Sequence, residues 1–204
     1  MKITLQLLVA ITLIAAACNS NTPAAENTAV PKTDSTDTVK NYLPVLDLIK
    51  EDIKRVDSFA GAILLRTSKE NKKDSNYIDL AAFNKSTADF LPAELEIASF
   101  QNNYKESSFV DESSQVVNFM YTSTNNDATV RKVVLYIPPS LGTDKVNRVY
   151  MEKEFKNGDT IISQKLTWKM RSYFIIAENR QTPDGKSIVT TRKAIWDVRL
   201  FNEE

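Results

Sequence analysis

From Tyr104 to the end of the chain, apolar and polar residues alternate with period two over long runs. Val149, Met151 and Phe155 alternate with Arg148, Tyr150, Glu152 and Glu154; Ile162, Leu166 and Trp168 alternate with Ser163, Lys165 and Thr167. Successive side chains of a strand point to opposite faces, so this pattern demands a sheet with one buried and one solvated face. It predicts strands over Tyr104–Asp111, Gln115–Ser123, Thr129–Ile137, Val146–Phe155, Thr160–Lys169, Ser172–Glu178 and Ser187–Trp196. Asn157-Gly158 and Pro183-Asp184-Gly185 supply tight turns between them. Pro138-Pro139 ends one strand and begins the longest loop. Parallel pairing would need crossovers of about a dozen residues, for which the chain leaves no room. The strands must therefore form an antiparallel meander.

Before Tyr104 the period changes. Leu46, Ile49, Ile53 and Val56 recur at helical spacing and predict a helix from about Leu43 to Phe59, with Pro44 in its first turn. Ala62–Thr67 reads as a short strand, and Ser68–Ser75 as a charged turn. Asp79 is placed to cap a second helix carrying Leu80, Phe83 and Phe90 or Leu91 on its buried side, ended by Pro92. Glu94 and Glu96 then read as solvated loop carboxylates. The predicted fold class is α+β: a curved antiparallel meander of about seven to eight strands with two N-terminal helices packed on one face.

The N-terminus sets the setting of this domain. Lys2 is followed by a mostly apolar run, Ile3 to Ile14, and then by Ala15-Ala16-Ala17 directly before Cys18, the only cysteine. As a helix the apolar run covers roughly 18 Å, short of the roughly 30 Å hydrocarbon core of a bilayer. This is the pattern of a secretory signal with a small-residue cleavage site. Ala15-Ala16-Ala17-Cys18 resembles the lipobox of Gram-negative bacterial lipoproteins, departing from the commonest form in having Ala15 where leucine is usual. The resemblance implies cleavage before Cys18, acylation of its thiol and new amino group, and attachment to the membrane through that lipid. Residues 18–40 then read as a tether, rich in Asn, Thr, Ala, Ser and Asp, that cannot bury enough apolar area to order itself. Asp34-Ser35-Thr36 and Asp37-Thr38-Val39 resemble short O-glycosylation sites of some Gram-negative bacteria. The expected organisation is a signal peptide over 1–17, an acylated tether over 18–40 and one globular domain over 41–204. The expected location is the outer membrane, with the domain facing the periplasm and the cell surface as the alternative.

The chain carries 26 basic and 26 acidic residues. Loss of the signal removes one lysine and leaves a net charge of −1, so overall charge points to no nucleic-acid partner. There is no histidine, which rules out a His-Cys zinc site and any His-dependent nucleophile. No glycine-rich phosphate loop occurs among the 4 glycines, and no cofactor is implied. Asn125-Asn126-Asp127 offers oxygen ligands without the spacing of a calcium loop. Glu152 and Glu154 share a side of one strand, about 7 Å apart by strand rise, a separation compatible with either glycoside chemistry or a salt-bridged surface. The aromatics Phe119, Tyr121, Tyr136, Trp168, Phe174 and Trp196 either fill the core or line a hollow for an apolar ligand. At the level of architecture the predicted sheet resembles the half-barrel carriers of lipoprotein sorting or a lipocalin-like cup. Three readings of function stay open: a non-catalytic envelope lipoprotein that binds a protein or envelope component, a carrier or sensor of an apolar ligand, and a carboxylate-dependent hydrolase.

Overall fold

A computed structural model describes residues 42–59, 61–70, 72–139 and 145–202, all within one compact unit, Val39–Glu204. Cys18 and the linker triplets lie outside the described residues. Helix α1 spans Val45–Phe59; the Leu48 N–H donates to the Pro44 carbonyl at 3.1 Å and closes its first turn. Its buried stripe is Val45, Leu46, Ile49, Asp52 and Val56, a helical spacing that includes one acid. Strands β1 (Ile63–Lys69) and β2 (Lys72–Ile78) form a hairpin. Helix α2 (Leu80–Thr87) is capped by Asp79, whose Oδ1 accepts from the Ala82 N–H at 2.7 Å. Two 3-10 turns, Ala88–Phe90 and Ala93–Leu95, flank Pro92 and lead into helix α3 (Ile97–Asn103).

Seven strands follow: β3 (Tyr104–Asp111), β4 (Val116–Ser123), β5 (Val130–Ile137), β6 (Arg148–Asn157), β7 (Thr160–Lys169), β8 (Tyr173–Gln181) and β9 (Ser187–Ile195). Between β6 and β7 the loop is Gly158-Asp159, closed by the Asn157–Thr160 pair. Gly158 takes the first loop position at φ +59°, where a two-residue hairpin of this kind favours glycine. A 3-10 turn, Val198–Leu200, follows the last strand.

The nine strands form one sheet in the order β2-β1-β9-β8-β7-β6-β5-β4-β3, and every pairing is antiparallel. The fold is α+β, as expected, but three details differ. The sheet has nine strands rather than seven to eight, because the charged stretch after Ser68 belongs to the β1–β2 hairpin. Six of the seven β2 residues are exposed, so an edge strand wet on both faces shows no alternation to read. Three α-helices form rather than two; α3 buries only Phe100, too little for a periodic signal. The second helix also stops at Thr87 and passes into a 3-10 turn before Pro92.

All the helices pack on one face of the sheet. Val45, Ile49 and Val56 of α1, Phe83 of α2, Phe90 and Leu95 of the two 3-10 turns and Phe100 of α3 meet Leu135, Val149, Met151, Leu166, Trp168, Phe174 and Ile176 of the sheet. Burying each such side chain contributes about 1.5–3 kcal/mol. Among the described residues the opposite face carries no α-helix; the segment after β9, with its 3-10 turn, folds over one side of it, with Phe201 6.0 Å from the Tyr77 ring and its carbonyl accepting from Arg66.

Candidate functional site

Five of the six aromatics singled out in the sequence lie on the helix-covered face. Trp168 and Phe174, directly paired across β7 and β8, stack at 5.6 Å. Phe90 meets the Trp168 ring edge-on at 5.1 Å, and Phe83 meets Trp196 edge-on at 5.5 Å. Tyr121 sits in a second cluster, 5.0 Å from Tyr42 and 4.8 Å from Phe100. Trp168, Phe174 and Tyr121 are fully buried, while Phe119 and Trp196 are partly buried against the same core. The helix aromatics thus occupy the space over these residues. Tyr136 alone lies on the other face, paired with Arg148.

Buried polar groups pin the helices to the sheet, and the sequence pattern did not reveal them. Asp52, 4% exposed, accepts from Trp168 Nε1 at 2.9 Å and from the Arg171 N–H at 2.9 Å. That second bond holds the β7–β8 turn, in which Arg171 adopts φ +63°. The only signal for it was position: Asp52 falls three residues after Ile49 and four before Val56. Glu94 is no free loop carboxylate. It accepts from the N–H groups of Thr129 and Val130, each at 3.0 Å, at the start of β5. Tyr104, whose hydroxyl donates to the Val130 carbonyl at 2.9 Å, is pushed above the ordinary phenol range by burial and by Glu94. Asp89 bridges Arg192 at 3.1 Å and Lys153 at 3.7 Å, tying the 3-10 turn to β9 and β6. Beside them Gln164 donates to Glu178 at 2.8 Å.

The helix-free face is chemically different. Directly paired residues of antiparallel strands share a face, so the register defines rows across it. One row runs Phe109, Asn118, Tyr136, Arg148, Lys169, Tyr173. The next runs Met120, Val134, Tyr150, Thr167, Ile175, Lys193, Arg66. The third runs Lys105, Thr122, Lys132, Glu152, Lys165 and, past β8, β9 and β1, ends at Lys73. Arg148, Lys169, Lys193, Arg66, Lys105, Lys132, Lys165 and Lys73 stand in these rows against one acid, Glu152. A chain of balanced charge therefore folds into a sheet with one strongly basic face.

The carboxylates there are engaged. Glu152 bridges Lys132 at 2.9 Å and accepts from the Tyr150 hydroxyl at 3.0 Å. Burial alone would raise its pKa, but Lys132 and Tyr150 outweigh it and hold the carboxyl below its usual value. Glu154 stands 3.8 Å from Arg131. The two carboxylates are thus each held by a cation. Asn125-Asn126-Asp127 is a turn in which the Asn125 Oδ1 accepts from the Asp127 N–H at 2.9 Å.

Arg148 and Lys169 are direct cross-strand partners, an arrangement of like charges that is destabilising by itself. Neither has an acidic partner among the described residues. The Arg148 guanidinium lies 4.1 Å from the Tyr136 ring centroid, and the Lys193 ammonium 4.8 Å from that of Tyr173. Burial, reinforced by Arg148, pushes the Lys169 ammonium below its ordinary pKa. An open depression of about 600 Å³ borders Arg148, lined by Phe109, Val110, Asn118, Tyr136 and Arg148, with Asp111 and Glu112 at its far end.

Fold and surface together define an α+β protein with a helix-covered core and an open, basic, tyrosine-bearing sheet face. The chain matches no family model, no curated protein and no solved structure. Among the described residues no helix is long and apolar enough to cross a membrane.

Proposed function

We propose that this chain is a lipid-anchored envelope protein, attached through Cys18, whose domain acts by binding rather than catalysis. Its binding surface is the helix-free face of the sheet, and its partner is an anionic component of the envelope. The observation that carries this reading is the one-sided charge: three adjacent rows hold Arg148, Lys169, Lys193, Lys132 and Lys165 against Glu152 alone. Clustered cations with tyrosines beside them attract and orient an anionic partner where net charge would not. The reading as a carrier of an apolar ligand has no support from the helix-covered face, because Tyr121, Trp168 and Phe174 are fully buried there.

Two experiments test the two halves. The Cys18→Ser protein should leave the membrane fraction; if it stays, the lipid anchor is wrong. The full chain carrying Cys18→Ser should bind a polyanionic matrix and elute with salt, despite its balanced charge. Lys132→Glu, Lys165→Glu and Lys193→Glu together should abolish that retention. Equal retention of the charge-reversed protein would defeat the binding reading.

A further inference from the structure

We infer that Asn118, Tyr136, Arg148 and Lys169 form a subsite for a phosphosugar, with the phosphoryl group on Arg148 and Lys169 and a sugar hydroxyl or amino donor on Asn118. This rests on the proposed anion-binding role of the helix-free face and narrows it to a ligand class. Three observations converge on one row of the sheet. The first is the Arg148–Lys169 pair, two cations brought together by the register, neither with an acidic partner among the described residues. A phosphoryl group placed there meets both, and Arg148 presents the planar fork suited to it. The second is Asn118. It is 3% exposed; its Nδ2 donates to the Val116 carbonyl at 3.2 Å, and its Oδ1 has no hydrogen-bond partner among the described residues. A buried acceptor left unmet is costly, and a ligand O–H or N–H would satisfy it after the modest side-chain adjustment common on binding.

The third observation is the depression of about 600 Å³ that joins Asn118, Tyr136 and Arg148; Lys169 stands beside Arg148 on the next strand, outside its lining. The ends of the depression differ in polarity. Arg148 lies at the β6 end, with Lys169 beside it on β7 and outside the lining, whereas Asn118, Asp111 and Glu112 supply acceptors toward β3 and β4. The Asp111 carboxylate already accepts from the Ser113 and Ser114 hydroxyls at 2.7 and 2.8 Å, which holds it below the usual carboxylate range. Asn118 and Arg148 are two strands apart, about 10 Å, a span covered by one monosaccharide with its phosphoryl group. Tyr136 offers its ring between these ends, and Phe109 flanks Asn118 on the edge strand. A bare anion would use only the cations; a neutral sugar would use only the acceptors.

The probe is glucosamine 1-phosphate, titrated calorimetrically into the full chain carrying Cys18→Ser. Saturable binding is expected, with glucosamine and inorganic phosphate each at least tenfold weaker. Lys169→Met and Arg148→Met should weaken it at least tenfold, and Asn118→Leu about fivefold. Lys169→Met removes a like-charge contact and Asn118→Leu an unmet acceptor, so both should melt no lower than the parent protein. A parallel arm uses phosphatidylcholine vesicles carrying a glycolipid with a phosphorylated sugar headgroup. Binding in solution identifies a free ligand, and binding to these vesicles alone identifies a lipid headgroup; either supports the subsite. Binding in neither arm, equal affinity for inorganic phosphate, or variants that bind like the parent would overturn it. If polyanion retention persists in that case, the broader basic-face reading stands and the subsite falls.

Discussion

The two faces of the sheet are built from the same strands and differ by one residue of register. On one side Leu135, Val149, Trp168, Phe174 and Ala194 form a continuous row with no charge, and all of them are buried. One position along, Tyr136, Arg148, Lys169 and Tyr173 form the matching row on the other side. The first row is finished by the chain itself, through Phe83, Phe90 and the carboxylate of Asp52. The second is left, among the described residues, with two cations that have no acidic partner and an unmet amide oxygen. Each face keeps one unmet buried amide oxygen among the described residues, Gln164 Oε1 on the first and Asn118 Oδ1 on the second, so the contrast lies in the cations: a face closed by its own aromatics serves stability, and a face that gathers cations is suited to a partner. The difference locates the function on the side that the packing does not need.

That contrast breaks most easily at the core. Trp168→Ala should cost about 3–5 kcal/mol of unfolding free energy in urea denaturation, since it opens a cavity among packed rings. A small effect would mean that the helix-covered face is not the core. Asp52→Ala should cost about 2–3 kcal/mol, because the Trp168 indole and the Arg171 N–H lose a charged acceptor. Glu94→Ala should cost about 1–3 kcal/mol by leaving the Thr129 and Val130 N–H groups unmet. On the other face Lys165→Ala should change stability by no more than about 0.5 kcal/mol, while lowering the salt needed for elution from a polyanion. A core-sized loss there would erase the distinction between the faces.

The smallest effect concerns pH. At Glu178 burial raises the carboxyl pKa, but the bonds from Gln164 at 2.8 Å and Arg180 at 2.6 Å outweigh it and hold it below the usual value. A carboxyl with a lower pKa in the folded state binds fewer protons than in the unfolded chain, so its stabilisation is present above about pH 4.3. That contribution is lost as pH falls through the folded value. Glu178→Gln should therefore lower stability at neutral pH and flatten the acid limb of a stability–pH curve, the two proteins converging at low pH. An unchanged acid limb would remove Glu178 as a contributor.

The sheet was legible because alternation with one dry face is a strong pattern. The expected ranges for Tyr104–Asp111 and Thr160–Lys169 coincide with β3 and β7. β2 was not legible, since Lys72–Ile78 has no dry face to mark it. Asp52 and Glu94 were not legible because a structural carboxylate is recognised only by the groups it accepts from, and the Trp168 indole and the Thr129 N–H lie 116 and 35 residues away in the chain. The subsite was less legible still. Arg148 and Lys169 read as ordinary solvated positions on separate strands, and Tyr136 read as one more aromatic among six.

By itself the sequence determined that the later chain must form antiparallel strands, that tight turns join them, and that an amphipathic helix covers the apolar side. Those are local consequences of residue period and backbone chemistry. Only the tertiary structure decided which basic residues stand together, because that depends on strand register rather than on composition. A chain with 26 residues of each charge shows no electrostatic preference until pairing places its cations on one face and leaves two of them side by side.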